Sequence, residues 1–431
     1  MPEDSTRLAR RLGLRDAIVI GMGSMIGAGV FSVFAPAAAI AGVGLLVGLA
    51  IAAVISFCNA TSSAQLAAQY PSSGGSYLYG RERLGEWPGF FAGWSFVVGK
   101  TASCAAMALV FAAYVAPSGW EKPVAAAAVV VLAVVNCLGI TRTVALTRVI
   151  VAVVLVVLAL VIVAGLSGWA ANGSGLGLAD NPDGLADPGW YGILQSAGLL
   201  FFAFAGYARL ATLGEEVKHP ARTIPRAIVA ALCITLVLYL VVALAALGSL
   251  GPAGLAASGS PLIDIVRDRS WFWAVPVVRI GAAAASLGAL LALMAGVGRT
   301  TLAMAREGDL PRWLGAVHPR FRVPYRAELA LMVATVALVL SVDLRGAVGF
   351  SAFGVLLYYV VANAAAFTQS GAARRYPKIA QVVGGMGCLL LVSTLPLPSI
   401  VGGIMVLAAG ILYRLLARHR MPRPAGERTL N

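Results

Sequence analysis

Charged residues are scarce in this chain of 431. They make up 12% of it, against 60% hydrophobic, with a mean hydropathy of +0.87, where a soluble domain carries roughly 25% charge. A soluble core cannot hide that much apolar surface. Acidic residues are the scarcest class, 18 against 32 Lys and Arg, and none lies deep in an apolar run. The three histidines, His219, His318 and His419, lack metal-ligand spacing, so no metal site is implied. The five cysteines, Cys58, Cys104, Cys137, Cys233 and Cys388, are odd in number and scattered among or at the ends of the runs. They read as small packing residues. With no paired intramembrane acid, metal cluster or nucleophile motif, an enzyme ranks last among the functions considered. No polar stretch is long enough to form a soluble domain, which argues against a sensor that relays a signal.

Apolar runs fill the chain instead. Twelve are present, at about 16–41, 43–67, 88–116, 122–140, 143–166, 190–213, 225–249, 271–303, 327–341, 344–368, 379–395 and 398–416; each is read as a span of a hydrocarbon layer roughly 30 Å thick. They are continuously apolar, whereas barrel strands alternate, so the expectation is an all-α integral membrane protein with 12 transmembrane helices. The formal charge of +14 is an orientation signal. With an even number of spans and the N-terminus inside, Lys122, Arg267, Arg269 and Arg345 fall outside, Lys100, Arg209 and Arg279 fall within spans, and the other 25 of the 32 basic residues are cytoplasmic. Both termini are therefore placed in the cytoplasm of a multi-pass plasma (bacterial inner) membrane protein. The partners implied are membrane lipid and a small solute, not nucleic acid. Arg7, Arg10, Arg11 and Arg15 ahead of the first run imitate a secretory signal, but that run is too long for a signal core.

Two runs are interrupted by glycine in corresponding places. The first contains Gly21-Met22-Gly23-Ser24-Met25-Ile26-Gly27-Ala28-Gly29-Val30-Phe31, and the sixth contains Phe202-Ala203-Phe204-Ala205-Gly206-Tyr207-Ala208. Paired interruptions are the sequence trace of an inverted repeat. Five spans apart is an odd number, so the two cross in opposite directions. The chain then divides into a cytoplasmic segment 1–15, five-helix units 16–166 and 190–368, two added helices in 379–416, and a cytoplasmic tail 417–431. Glycines such as Gly48 or Gly288 read as packing contacts. Four glycines and a serine within residues 21–29 exceed what one contact needs, each glycine costing about 1 kcal/mol of helix stability relative to alanine.

An unwound stretch inside a membrane protein is tolerated where it lines a cavity. The half-helix beginning after Gly27-Ala28-Gly29 offers free N–H groups and a positive dipole end to a carboxylate, and freed carbonyls near Ser24 and in 203–206 can accept from an ammonium. Together these groups fit a free amino acid. The first-run motif resembles the first helix of the amino acid, polyamine and organocation superfamily of permeases. Three further stretches are similar to that family: span 6 leading into Gly214-Glu215-Glu216-Val217-Lys218-His219-Pro220 with Arg222 and Ile224-Pro225-Arg226; Ala303-Met304-Ala305-Arg306-Glu307-Gly308-Asp309-Leu310-Pro311 with His318 and Pro324; and Tyr70-Pro71, Gly74-Gly75 and Tyr77. The resemblance implies a leucine-transporter-like 5+5 inverted repeat with broken helices 1 and 6, a site between helices 1, 3, 6, 8 and 10, and no cofactor beyond a proton or sodium gradient. It places Ser24, Ile26, Gly27, Ala28 and Gly29 around the substrate carboxylate and Ala203, Phe204, Ala205 and Gly206 around its amino group. Phe201, Phe202, Phe204 and Tyr207 are candidate lids or walls, Phe204 and Tyr207 foremost.

The departures from the family pattern sharpen the expectation. Ala208 stands where some cationic amino acid carriers have an acid, so a cationic substrate side chain lacks a counter-charge; a neutral, small or apolar amino acid fits better. Val157 aligns with the helix 5 lysine of proton-coupled relatives, and Ser286 lies near the hydroxyls of sodium-coupled ones. Lys100, about twelve residues into span 3, sits roughly 18 Å deep, close to the midplane. An amine there is costly to insert and implies a role facing the bundle interior. Lys100 is the expected coupling amine in place of the helix 5 lysine, or the group that fixes the substrate carboxylate. Glu215, Glu216, Lys218, Arg222, Arg226 and Arg306 are expected to form inner ion pairs. The leading function is an amino acid symporter; the alternative is an exchanger for amino acids or polyamines, including cationic amino acids.

Overall fold

A computed structural model describes residues 12–70, 74–139, 144–172, 189–211, 213 and 216–420. Among them the chain is helical, and the one piece of extended pairing is an isolated parallel bridge between Leu12 and Val217. In chain order the helices are α1 (Leu14–Ser32), α2 (Phe34–Ala41), α3 (Leu45–Gln69), α4 (Gly75–Leu84), α5 (Glu86–Val115), α6 (Glu121–Cys137), α7 (Val144–Asn172) and α8 (Gly189–Phe204). They continue with α9 (Ala208–Ala211), α10 (Pro220–Ala257), α11 (Pro261–Asp268), α12 (Val275–Arg306), α13 (Tyr325–Ser341), α14 (Leu344–Phe367), α15 (Lys378–Thr394) and α16 (Leu397–Arg420).

Nine of the described helical stretches are long and apolar enough to cross a membrane, and the chain is a multi-pass membrane protein. Three more of the expected runs coincide with α6, α13 and α15, each 17 residues long. The long spanning helices are predominantly apolar, as a membrane bundle requires, whereas the short α4 and α11 carry charged residues. On α7, Val154, Val157, Leu158 and Val161 are buried, while Val149, Val156 and Val163, spaced by sevens, are more than half exposed. That outer stripe is where lipid tails pack.

Inside the bundle, missing side chains set the helix spacing. α5 and α14 cross where Gly99 meets Gly354; a Cβ on Gly354 would lie 2.7 Å from the Gly99 Cα and from the Ser95 carbonyl oxygen. One turn along the same seam Ser103 and Ser351 share a hydrogen bond of 2.6 Å. Small residues at such crossings let backbones approach and hydroxyls bond across.

On the face that carries the 303–311 motif, a buried carboxylate ties three elements together. Asp309 Oδ2 accepts from Arg81 at 2.9 Å and from the Tyr77 hydroxyl at 2.9 Å, and its Oδ1 pairs with Arg414 at 3.1 Å. Arg414 also lies over the Trp87 and Phe90 rings, 4.7 and 4.5 Å from their centroids. Burial and the neighbouring Asp309 carboxylate push the Tyr77 hydroxyl well above the usual tyrosine range, so it stays a donor. The described ion pairs on this face run through Asp309, Arg81, Glu307, Arg414, Glu86, Arg148 and Asp16. They do not involve Glu216, Lys218, Arg222, Arg226 or Arg306, which corrects the expectation for those five; Glu215 lies outside the described residues. The reason is burial: the 304–310 turn tucks Asp309 under α12, with both the Asp309 and Leu310 N–H groups donating to the Met304 carbonyl. Asp309→Asn is expected to destabilise the protein by about 3 kcal/mol or more, because two guanidiniums lose their shared charge partner. A thermal shift in detergent checks it.

Candidate functional site

Both expected interruptions coincide with breaks in helical geometry. Gly27, inside α1, has φ −23° and ψ −110°, far from helical values. The α8 helix ends at Phe204, passes through a 3-10 turn at Ala205–Tyr207 and resumes as α9. The two breaks touch. A Cβ on Gly206 would lie 2.2 Å from the Ser24 carbonyl oxygen, and one on Gly29 would lie 2.8 Å from the Ala203 Cα. The other motif glycines are equally crowded: Gly21 against Leu210, Gly23 against Val151 and Gly27 against Ala289, at 2.6, 2.9 and 2.7 Å. Close helix packing therefore accounts for each of these glycines, a contribution that the sequence argument assigned mainly to ligand approach.

A cavity of about 280 Å³ opens beside the breaks, lined by residues of α1, α5, α7, α8 and α12. Of the expected site residues, Ser24, Ile26, Gly27, Gly29, Ala203, Ala205, Gly206 and Lys100 line it. Ala28 lies in the same stretch of α1, with its side chain outside the described set. Phe204 and Tyr207 are packed elsewhere: the Phe204 ring against Tyr239, centroids 5.2 Å apart, and Tyr207 against Tyr359, also 5.2 Å. Of the four aromatic candidates, Phe202 faces the cavity. Ser286 is fully buried, its hydroxyl donating to the Ala282 carbonyl of its own helix at 2.5 Å. Where relatives carry a helix 5 lysine, Val157 fills a notch over Gly281, whose added Cβ would meet it at 2.7 Å.

Two donors hold the broken segments. The Tyr239 hydroxyl on α10 lies 2.5 Å from the Met25 carbonyl and 3.2 Å from that of Ala203, so one proton is placed between both breaks. Lys100 Nζ donates to the Ala205 carbonyl at 3.3 Å. These contacts answer backbone groups that a broken helix leaves without partners. Tyr239 escaped the sequence reading; its signal was a lone phenol in the apolar stretch Leu238-Tyr239-Leu240. Tyr239→Phe is expected to weaken substrate binding about tenfold, since neither the Met25 nor the Ala203 carbonyl then has the hydroxyl donor. Isothermal titration of the purified variant measures it.

The cavity is closed on one side and lined by loop residues on the other. On the closed side Tyr114 donates to the Phe31 carbonyl at 3.0 Å, the rings stack edge to face, and the Leu262 N–H of α11 caps the same hydroxyl at 3.4 Å. On the other side the lining continues through Arg209, Leu213, Glu216, Arg299 and Tyr77. There the N-terminal segment is pinned: Leu12 donates to the Glu216 carbonyl at 3.0 Å and accepts from Lys218 at 2.9 Å.

A many-helix membrane bundle with two touching helix breaks beside a cavity is the architecture of a transporter. The chain belongs to the amino acid permease family, whose family model matches residues 12–427, within the amino acid, polyamine and organocation superfamily. It is 55% identical to an uncharacterized transporter of Mycobacterium tuberculosis over 424 residues, 97% of this chain and 95% of the relative. It is 30% identical to the cationic amino acid transporter 6, chloroplastic, of Arabidopsis thaliana, covering 84% of this chain and 66% of that one. It is 26% identical to a branched-chain amino acid permease of Bacillus subtilis, covering 74% and 72%. The protein is a transporter and not an enzyme.

Proposed function

We propose that this permease carries neutral amino acids by proton-coupled secondary transport, with twelve spans arranged as two inverted five-helix units and both termini cytoplasmic. The observation that carries the substrate class is the charge of the cavity. Among the described lining residues the charged ones are Lys100, Arg209, Arg299 and Glu216, three cations to one acid, and Ala208 stands beside the second break. A cationic side chain entering this space meets like charge, which disfavours it. The likeness to a cationic amino acid transporter therefore does not carry over to the substrate.

In this reading the N–H groups of the half-helix after Gly27, at Ala28 and Gly29, receive the substrate carboxylate, with Lys100 also on the cavity wall. The carbonyls of Met25, Ala203 and Ala205 already accept from Tyr239 and Lys100, so the substrate ammonium is left to other carbonyls of the two stretches. Phe202, Ala289 and Val154 supply the apolar wall for a side chain. Lys100 is the group through which the proton gradient acts; Ser286 remains the hydroxyl for a sodium-driven alternative.

The test is uptake by proteoliposomes of a panel of amino acids. Apolar neutral amino acids should compete for uptake and lysine or arginine should not; preferred uptake of arginine overturns the substrate class. Uptake that appears only with amino acid inside marks exchange rather than symport. For the orientation, a cysteine at Asn172 should label from outside and one at Ala373 only after permeabilisation. The reverse pattern overturns it.

A further inference from the structure

The inner half of α12 contains Gly296 and Gly298 on either side of Val297, followed by Arg299. Gly296 and Arg299 line the cavity, and nothing lies within 4 Å of a Cβ added at Gly296. Gly298 faces α13. A Cβ there would lie 2.5 Å from Glu328 Oε1. Glu328, in the first turn of α13, is 2% exposed. Its Oε2 accepts a long hydrogen bond of 3.5 Å from Asn136 Nδ2, an amide whose shorter bond, 3.3 Å, goes to the Leu291 carbonyl of α12. Among the described residues no cation is in ion-pair contact with it. The titratable and charged groups within electrostatic reach are Cys104 on α5, Cys137 on α6 and Arg299 on α12. Arg312, in the short turn that packs on α13, is exposed, and Arg326 of α13 lies over the Tyr325 ring. A buried carboxyl with one weak amide contact is costly as an unpaired anion. The proposed substrate path makes no use of it.

We propose that Glu328 is a proton site on the cytoplasmic side that sets the position of the inner half of α12 and so regulates the mouth of the substrate cavity. The inference rests on reading the chain as a permease whose cavity opens and closes. With the carboxyl protonated, Glu328 packs uncharged on Gly298 and Arg299 stays on the cavity wall, the arrangement seen here. When the proton leaves to water at the cytoplasmic mouth, a buried carboxylate forms, and the cation within its electrostatic reach is Arg299, one residue beyond the glycine. Turning the Gly296–Gly298 segment, where small residues permit it, takes the guanidinium off the cavity wall to the carboxylate. One proton is released and one ion pair forms, so charge is conserved. The two positions of α12 are the bistable element, and protonation biases them.

The experiment reads the cavity without requiring transport. Thr300, which also lines the cavity, is replaced by cysteine, and labelling by a membrane-impermeant maleimide is followed in inside-out vesicles at about pH 6 and about pH 8. Rates are corrected for the reactivity of a free thiol at each pH. With Glu328 present, the corrected rate should fall about fivefold or more as pH rises, because the turn that takes Arg299 off the wall carries the adjoining residue 300 out of the cavity with it; in the Glu328→Gln background it should stay at the low-pH value. An equal pH response in both backgrounds overturns the proposal. Should the glutamine variant fail to reach the membrane, Arg299→Gln takes its place and must abolish the response, and a response that persists overturns it too. Failure of the permease reading shows separately, as absence of amino acid uptake by the wild-type protein in proteoliposomes.

Discussion

A single methyl group added at Gly206 is expected to abolish substrate binding and transport while the protein still reaches the membrane. The Cβ of Gly206→Ala would lie 2.2 Å from the Ser24 carbonyl oxygen, 2.4 Å from its carbon and 2.6 Å from the Met25 nitrogen. All three are backbone atoms of the first break, so no rotamer change relieves the overlap. The two broken segments must separate, and with them the Tyr239 hydroxyl loses its place between the Met25 and Ala203 carbonyls. Overpacking costs typically 1–3 kcal/mol, and here the displaced atoms are the ones proposed to hold the ligand. Gly385→Ala is the control: its Cβ meets only the Asn363 Cβ, at 3.6 Å, and a helical glycine replaced by alanine at an uncrowded site is neutral or stabilising. Substrate-induced thermal stabilisation should vanish in the first variant and persist in the second. Ordinary binding by Gly206→Ala would rule out this account of the paired breaks.

Much of the frame was legible because membrane helices advertise themselves by length and apolarity. Each expected run has a helix at its place, and the two breaks fall at the glycine-interrupted stretches of the first and sixth runs. What the sequence could not show was which backbone faces which. The motif glycines around Gly27 look identical in one dimension, yet Gly21 is short of space against Leu210 and Gly23 against Val151. Gly48, read as a packing contact, is wedged against the Ala197 nitrogen and the Ile193 carbonyl, each 3.2 Å from an added Cβ, so the contact there leaves no room for a bulky residue. The aromatic candidates failed to sort for the same reason: Phe202 and Phe204 stand two residues apart on α8 and so point to opposite sides, and nothing in the sequence tells which side meets the cavity and which the Tyr239 ring; the 3-10 turn at Ala205–Tyr207 then resets the helical phase for Tyr207.

Acidic chemistry was hidden in a similar way. Glu328 is the second residue of an apolar run and reads as lying at its end, but α12 and α6 close over it and leave it 2% exposed. Asp309 reads as a loop residue and is 4% exposed. Its partners are 228 and 105 positions away, at Arg81 and Arg414, a distance over which a single sequence carries no pairing signal.

Lys100→Met is expected to lower uptake about tenfold or more and to remove its dependence on external pH, with the protein remaining folded. The side chain is 6% exposed and lines the cavity, and its amine is 3.3 Å from the Ala205 carbonyl. A hydrogen bond from a charged donor is worth about 1.5–3 kcal/mol, which corresponds to roughly ten- to a hundredfold in an equilibrium constant. Methionine keeps the length and apolar stem of the residue, so the packing of α5 against α14 is preserved and only the titratable donor is lost. If the amine merely caps the turn at Ala205–Tyr207, the variant lowers uptake equally at every external pH. If the amine also gains and loses the coupled proton, the pH profile flattens while exchange of internal for external amino acid survives. Measuring both quantities, with internal pH clamped so that the cytoplasmic side contributes nothing, separates the two roles. An unchanged external pH profile with unchanged uptake would remove Lys100 from the coupling mechanism altogether.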